Sequence, residues 1–233
     1  MIPKKIHYCW FGGNEYPQLM KDCIESWKKY LPEYELIEWN ESNFDIKSNQ
    51  FVKEAYEAKK YAFVSDYVRL YVLYNYGGIY LDTDVEVKKS LNNLLGLKAF
   101  TGRESDDSYV TGTLGAEKGH LWIKELLDYY TNKSFYDSNG HLTNTVIITQ
   151  ITKQIYKDIE NSNPKRVYES QDLTIYPFEY FCAKDYKTGI LKSTKNTYSI
   201  HHFNGSWLSK KTKIRTNFGR FYRRIFNWGD NDV

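Results

Sequence analysis

Three cysteines among 233 residues, Cys9, Cys23 and Cys182, form an odd and widely spaced set. That excludes a disulfide framework and the paired spacing of a zinc site, and it suits a reducing, cytoplasmic location. No apolar run approaches the about 20 residues that a membrane-spanning helix needs. The opening stretch MIPKKIHYCWFGG carries Lys4 and Lys5, but polar residues interrupt the segment beyond them, so no secretory signal is expected. Internal repeats and low-complexity linkers are also missing. One globular domain is the simplest organisation for this length.

The chain does have a 41% hydrophobic fraction, enough for a sizeable core, and a high aromatic content of 17% with 22 tyrosines. Tyrosine offers a flat apolar body and a polar tip, which suits stacking against sugar and base rings. Codon bias toward Tyr, Lys, Asn and Ile accounts for the same composition equally well. The net charge of +3 is unevenly placed. Residues 208–233 hold seven Lys or Arg and two Asp, a balance of +5, which leaves the preceding 207 residues at −2. The expected division is a domain over 1–207 and a basic aromatic tail over 208–233. A near-neutral body with such a tail points to an anionic surface as partner and does not by itself suggest nucleic acid. Within the tail, Ile214, Phe218, Phe221, Tyr222, Ile225 and Phe226 share one face at helical spacing, with Lys213, Arg215, Arg220, Arg223 and Arg224 around it. That is the pattern of an interfacial helix on anionic lipid, so peripheral attachment to the inner face of the cytoplasmic membrane is expected. Packing on the protein's own core is the competing account of the same pattern.

The periodicities predict an α/β fold. Residues 4–11 read as a buried first strand ended by Gly12-Gly13. Pro17 to Tyr30 reads as a helix with Leu19, Cys23 and Trp27 at four-residue spacing, stopped by Pro32. ELIEW (35–39) alternates like a second strand. Strand, helix, strand within forty residues argues for a mostly parallel sheet flanked by helices. Residues 51–60 and 62–76 read as helices, the second capped by Gly77. A short apolar strand over 79–81 follows. Further strands are expected over 99–102, 109–115, 173–176 and 198–202, and helices over 121–130 and 144–159.

The chemistry concentrates in YGGIYLDTDVEV (76–87). Side chains two apart in an extended segment point to one side, so Asp82 and Asp84 are expected to converge just past a core strand. In open α/β sheets the carboxyl ends of the strands form the ligand crevice. Paired carboxylates there suit Mg²⁺ or Mn²⁺, which can bridge the phosphates of a nucleotide diphosphate. Asp66 and Arg69 lie three apart on one helix face. They are either an ion pair that orients the helix or a pair that grips hydroxyl or anionic groups of a ligand. His201-His202-Phe203-Asn204-Gly205-Ser206-Trp207 is the third feature. Its histidines are structural or complete a metal shell, and the Trp207 indole N–H can donate to a phosphate oxygen.

The chain resembles the family 32 glycosyltransferases, the DXD-containing sugar-binding-region group, and among them the bacterial capsular-polysaccharide and lipopolysaccharide members. The matching stretches are IPKKIHYCWFGG (2–13), CIESWKKYLPEYELIEWNESNFDI (23–46), AKKYAFVSDYVRLYVLYNYGGIYLDTDVEV (58–87) and HHFNGSW (201–207), whereas 100–195 matches only loosely. The resemblance implies a GT-A fold, a nucleotide-sugar donor of the UDP type, Mn²⁺ or Mg²⁺, a glycan acceptor, and retention of anomeric configuration. By position it implies that Trp10 and Gly12 lie at the nucleotide, that Asp66 and Arg69 bind the donor sugar, and that Asp82 contacts ribose, sugar or metal. It further implies that Asp84 is the principal metal ligand and that Trp207 holds a phosphate. Distant relatives carry Glu at the late ligand position, so His201 and His202 compete for it here. The spacing His202-x-x-Gly205 resembles that of another retaining family with the same fold, and that resemblance favours His202. Gly12-Gly13 is too sparse for the glycine-rich loop of a nucleotidyltransferase. A glycosidase needs an acid and a nucleophile flanking the scissile bond, and Asp82 and Asp84 are better placed as joint metal ligands. A sugar-nucleotide-binding protein without transfer activity is the non-enzymatic alternative. Asp106 and Asp107 are loop carboxylates that either face an acceptor or are merely solvated.

Overall fold

The computed structural model describes residues 1–110, 112–137 and 143–205; Trp207 and the 208–233 tail lie outside the described residues. The apolar alternation of KIHYC makes strand β1 (Lys5–Cys9), and ELIEW makes β2 (Glu35–Trp39), which pairs with it in parallel. Helix α1 (Gln18–Tyr30) crosses between them and buries Met20, Cys23, Ile24 and Trp27, one stripe at helical spacing. The Trp27 indole N–H donates to the carbonyl of Val85 at 2.7 Å, which fixes the helix against the segment that follows the central strand.

Helix α2 (Gln50–Glu57) leads into α3 (Tyr61–Tyr76), whose apolar residues leave little of its surface to water. Gly77 ends α3 at φ 64°, its N–H returning to the Leu73 carbonyl at 2.9 Å. A side chain there would strain the backbone and meet the Lys118 amide nitrogen at 2.7 Å. Strand β3 (Gly78–Leu81) then enters the sheet beside β1. Ile79 and Leu81 face the layer built around α1, and Tyr80 faces the opposite layer built around α2 and α3.

The remaining elements are β4 (Val85–Val87), β5 (Ala99–Ser105), β6 (Ser108–Tyr109), β7 (Thr113–Ala116), α4 (Leu121–Asp128), α5 (Asn144–Ile155), β8 (Tyr168–Glu169), β9 (Thr174–Tyr176), α6 (Phe178–Phe181) and β10 (Ser199–His201). The main sheet runs β2-β1-β3-β7-β5-β9-β8, with β6 paired to β5, while β10 and β4 form a separate two-stranded ribbon. β2–β1, β1–β3 and β5–β9 are parallel, and β7 runs antiparallel between β3 and β5. The parallel α/β expectation is met over the first half. The single strand expected over 109–115 is two strands: β6 ends at Tyr109 and β7 begins at Thr113.

His7 shows how tightly the first layer is specified. It is fully buried, its Nδ1 accepts from the Trp39 indole at 3.1 Å, and its Nε2 lies 2.9 Å from the Gly77 carbonyl. Trp39 can only donate, so the neutral ring carries its proton on Nε2 and donates it to Gly77. Burial lowers the His7 pKa, and burial does the same to His120. A group with a depressed pKa contributes stability that is present above its unfolded value and is lost as pH falls through the folded value. Each such histidine contributes a loss of stability below about pH 6.5 with a slope of up to about 1.4 kcal/mol per pH unit, opposed over part of that range by groups whose pKa burial raises, so the measurement is urea denaturation of the parent and of a His7 variant between pH 7.5 and 5. His7→Gln removes its share of that slope; an unchanged slope contradicts the assignment.

Candidate active site

Four elements meet at the carboxyl end of β3. Asp82 follows the strand directly, and its N–H donates to the Gly112 carbonyl at 2.8 Å. The chain turns at once, with the Val85 N–H donating to the Asp82 carbonyl at 3.0 Å. Asp82 and Asp84 therefore converge through a turn between β3 and β4. This differs from the side-chain alternation of one extended strand that the sequence pattern suggested.

Beneath Asp82 lies Arg69 of α3. Its guanidinium Nη2 bridges two carboxylates, Asp66 Oδ1 at 3.0 Å and Asp82 Oδ1 at 3.1 Å, and its Nε donates to the Ser65 carbonyl at 3.1 Å. The planar cation lies over the Tyr80 ring at 4.8 Å, and the Tyr80 hydroxyl donates to Asp82 Oδ1 at 3.0 Å. Burial lifts the Asp66 pKa to about 6 against the pull of Arg69. Burial acts to lower the Arg69 pKa, but the charges of Asp82 and Asp66 outweigh it and hold the guanidinium firmly protonated. The Asp66–Arg69 pair thus does more than steady its helix, because it is wired to the first aspartate of the DXD turn.

The ribbon of β4 and β10 supplies the histidine. Its register sets His201 opposite Val85 and Ile200 opposite Glu86. Successive residues on a strand face opposite sides, so only one of the two histidines can meet the aspartates. His201 does, with Nε2 3.3 Å from Asp84 Oδ1. His202 turns to the other side, where its Nε2 lies 3.0 Å from Glu86 Oε2, and only its backbone N–H reaches the Asp84 carbonyl at 3.0 Å. The sequence reading favoured His202; the ribbon register instead brings His201 to the aspartates and turns the His202 ring to Glu86. Burial works against the Asp84 carboxylate, but His201 and the Asn204 N–H, 2.8 Å from Oδ2, bring its pKa down to about 2. Burial likewise works against protonated His201, and Asp84 overcomes it, raising that pKa to about 9.

Asp82, Asp84 and His201 offer ligand atoms that all lie within 4.8 Å of one another. Two further observations fit a cation. His201 Nδ1 is buried with no hydrogen-bond partner among the described residues. Gly112 lines the same space, and a Cβ there would stand 3.0 Å from Asp82 Oδ2 and 3.3 Å from His201 Nδ1. Two carboxylates and an imidazole form a mixed oxygen and nitrogen donor set that suits Mn²⁺. His201→Ala is expected to weaken Mn²⁺ binding by on the order of a hundredfold, and His202→Ala to leave it within about twofold. Calorimetric titration of both variants checks this, and equal losses refute the distinction.

Trp10 and Gly12 lie past the carboxyl end of β1. The register His7↔Tyr80 sets Cys9 level with Asp82, so both residues border the same edge. The Trp10 ring packs edge-on against Tyr16 at 5.6 Å and donates to the Asn14 carbonyl at 2.7 Å. Gly12, at φ 91°, donates to Glu41 Oε1 at 2.6 Å, and the Tyr61 ring occupies the space a Cβ would need. Asp106 and Asp107 form the exposed turn of the β5–β6 hairpin.

Three site residues escaped the sequence reading. Gly112 is one. Asn144, the first residue of α5, is buried against Asp66 and helps hold its charge, yet neither amide atom makes a well-formed hydrogen bond. Glu104 on β5 accepts from the Thr145 hydroxyl at 3.3 Å; burial raises its pKa, and it feels the charges of His201 and Asp82. Only Gly112 carried a signal, as an isolated glycine inside a strand-like run, which marks close backbone approach.

The family model described as "Glycosyltransferase sugar-binding region containing DXD motif" matches residues 17–101, a span that includes Asp66, Arg69, Asp82 and Asp84. The chain is 32% identical over 134 residues to inositol phosphoceramide mannosyltransferase 3 of Schizosaccharomyces pombe, covering 54% of this chain and 36% of that protein. It is 27% identical over 176 residues to an uncharacterized glycosyltransferase of Acanthamoeba polyphaga mimivirus, covering 70% of this chain and 68% of that one. Among solved structures, the PaToxG glycosyltransferase superposes with a TM-score of 0.53 at 20% identity, over 69% of this chain and 73% of its own, which establishes a shared fold. The chain thus spans about a third of the length of the yeast mannosyltransferase.

Proposed function

We propose that this protein, whose residues 17–101 match the model of the glycosyltransferase sugar-binding region containing the DXD motif, transfers a hexosyl group from a nucleoside-diphosphate sugar to a hydroxyl acceptor. The observation that carries the proposal is the meeting of Asp82, Asp84 and His201 beside the Asp66–Arg69–Asp82 bridge at the carboxyl end of β3. Asp82, Asp84 and His201 are the residues that would hold Mn²⁺ or Mg²⁺. A divalent cation there supplies the positive charge that a departing diphosphate needs. Arg69 is committed to two carboxylates, so it orients Asp66 and Asp82. Asp66, anchored through one oxygen, and the unsatisfied amide of Asn144 are suited to accept and donate hydrogen bonds at sugar hydroxyls. Trp10 and Gly12 border the space for the nucleotide, and Trp207 is assigned to a phosphate by resemblance alone.

Retention of anomeric configuration, a UDP-linked hexose or N-acetylhexosamine donor and an acceptor in capsule or lipopolysaccharide synthesis follow from the resemblance to bacterial members. The curated fungal relatives are named as mannosyltransferases acting on inositol phosphoceramide, a lipid. Their names add mannose to the donors and favour an acceptor carried on lipid. The test is a panel of UDP- and GDP-linked sugars, with and without Mn²⁺, read as nucleoside diphosphate release and as the anomeric configuration of the product by NMR. Metal-dependent release from one donor class with a retained anomer supports the proposal. No release from any donor, or equal release without metal, refutes it.

A further inference from the structure

Residues 183–192 form a hairpin whose Lys184 and Leu191 pair in antiparallel fashion. Its polar atoms are largely satisfied from within. The Asp185 N–H donates to the Ile190 carbonyl at 2.9 Å, the Gly189 N–H to the Asp185 carbonyl at 2.6 Å, and the Lys192 N–H to the Ala183 carbonyl at 2.7 Å. The Asp185 carboxylate accepts from both the backbone and the hydroxyl of Thr188, at 2.6 and 2.7 Å. A tip built this way meets an apolar phase with few backbone groups left to desolvate.

The side chains it shows are unusual for a water-facing loop. Tyr186, Ile190 and Leu191 are 45%, 42% and 52% exposed, and Lys187, Lys192 and Lys195, close by in sequence, are exposed too. Between 184 and 196 there are four lysines and one acidic residue, the Asp185 already engaged by Thr188. The hairpin also touches the active site. Tyr186 packs edge-on against Phe203 at 5.3 Å, and Phe203 lies over His201 at 4.2 Å.

We propose that the 183–192 hairpin and the segment that follows it to Lys195 are a docking surface for an anionic phospholipid bilayer, with Tyr186, Ile190 and Leu191 entering the interface and Lys187, Lys192 and Lys195 meeting its charge. Exposed apolar side chains with exposed lysines beside them in the same hairpin are the combination that an anionic interface recognises. Docking there holds His201 two ring contacts from the lipid surface. That an acceptor hydroxyl is presented from that surface rests on the proposed transfer reaction; the docking itself does not.

The experiment uses the full chain with phosphatidylglycerol and phosphatidylcholine vesicles. Co-sedimentation with phosphatidylglycerol at low salt is expected, weakening at high salt, with little binding to phosphatidylcholine. The exposed pair Ile190→Ser and Leu191→Ser is expected to lower the partition roughly tenfold or more, and Lys187→Glu with Lys192→Glu to do so by a similar factor. A polarity-sensitive dye on Leu191→Cys is expected to shift to the blue on binding, the three native cysteines being buried. Unaltered circular dichroism confirms that the variants fold. Release of nucleoside diphosphate from a soluble donor is measured in parallel, so loss of docking and loss of the transfer reading are separable. The proposal is overturned if the full chain ignores phosphatidylglycerol. It is equally overturned if the loop variants bind like the parent, which would assign binding to residues 208–233, or if the dye does not shift. Concentration-dependent self-association that the serine pair abolishes, without vesicle binding, would assign the surface to a second copy.

Discussion

Asp84→Asn is expected to lower Mn²⁺-dependent donor turnover by on the order of a thousandfold, the rate equivalent of the several kcal/mol that a bound metal contributes to charge stabilisation. Asp84 has the lowered pKa, near 2, and it alone of the two aspartates is held by both His201 and the Asn204 N–H. The substitution keeps shape and removes charge. The residue sits in a turn past the strand end, so the fold is expected to survive with only a small change in melting temperature. Asp82→Asn should be nearly as damaging to turnover. Steady-state assays at saturating donor, with far-UV circular dichroism as the folding control, check both. Parental activity in both variants would remove the DXD turn from the site.

Arg69→Met is expected to destabilise the protein by about 3–5 kcal/mol, because removing one partner of a buried ionic bridge leaves the other charged and unpaired. Arg69 is 5% exposed at its side chain, and Asp66, its shorter-range partner, is 14% exposed. The Asp66 carboxyl, whose pKa burial already raises to about 6, would then take up a proton more readily still. The double variant Arg69→Met, Asp66→Asn should recover a large part of the lost stability and none of the activity, since Asp82 remains without its anchor. Chemical denaturation of the two singles and the double gives the coupling directly. A single variant as stable as the parent would show that the bridge does not hold the site together.

Much of this architecture is readable from local pattern. The alternation in KIHYC and ELIEW, the stripe of α1 and the stops at Pro32 and Gly77 each follow from residue chemistry within a few positions. The Asp66–Arg69 spacing and the convergence of Asp82 with Asp84 are local as well, although a turn and not an extended strand brings the two aspartates together. The features that were not readable depend on partners far away in the chain. The choice between His201 and His202 turns on the register of β10 against β4, and a one-residue slip would exchange them. The separation of β6 from β7 is likewise set by distant partners: β6 pairs with β5, whereas β7 pairs with β3 in a register that the Asp82 N–H to Gly112 carbonyl bond continues. Two-residue β8 and four-residue α6 are too short to carry a period. Asn144 and Glu104 reach the site only through the packing of α5 against the β5–β6 hairpin, and polar residues on a helix start or strand end announce no such role.

If Asp82, Asp84 and His201 hold a metal that grips the diphosphate of a sugar donor, metal and nucleotide must bind cooperatively. A shared site requires each ligand to raise the affinity of the other by the same factor. Calorimetry of nucleoside diphosphate binding with and without Mn²⁺ reads that factor without any need to know the acceptor. UDP or GDP is expected to bind the parent at least about tenfold more tightly with Mn²⁺ present, and this gain is expected to vanish in Asp84→Asn. Equal nucleoside diphosphate affinity with and without Mn²⁺ in the parent protein would rule the metal site out as the grip on the donor.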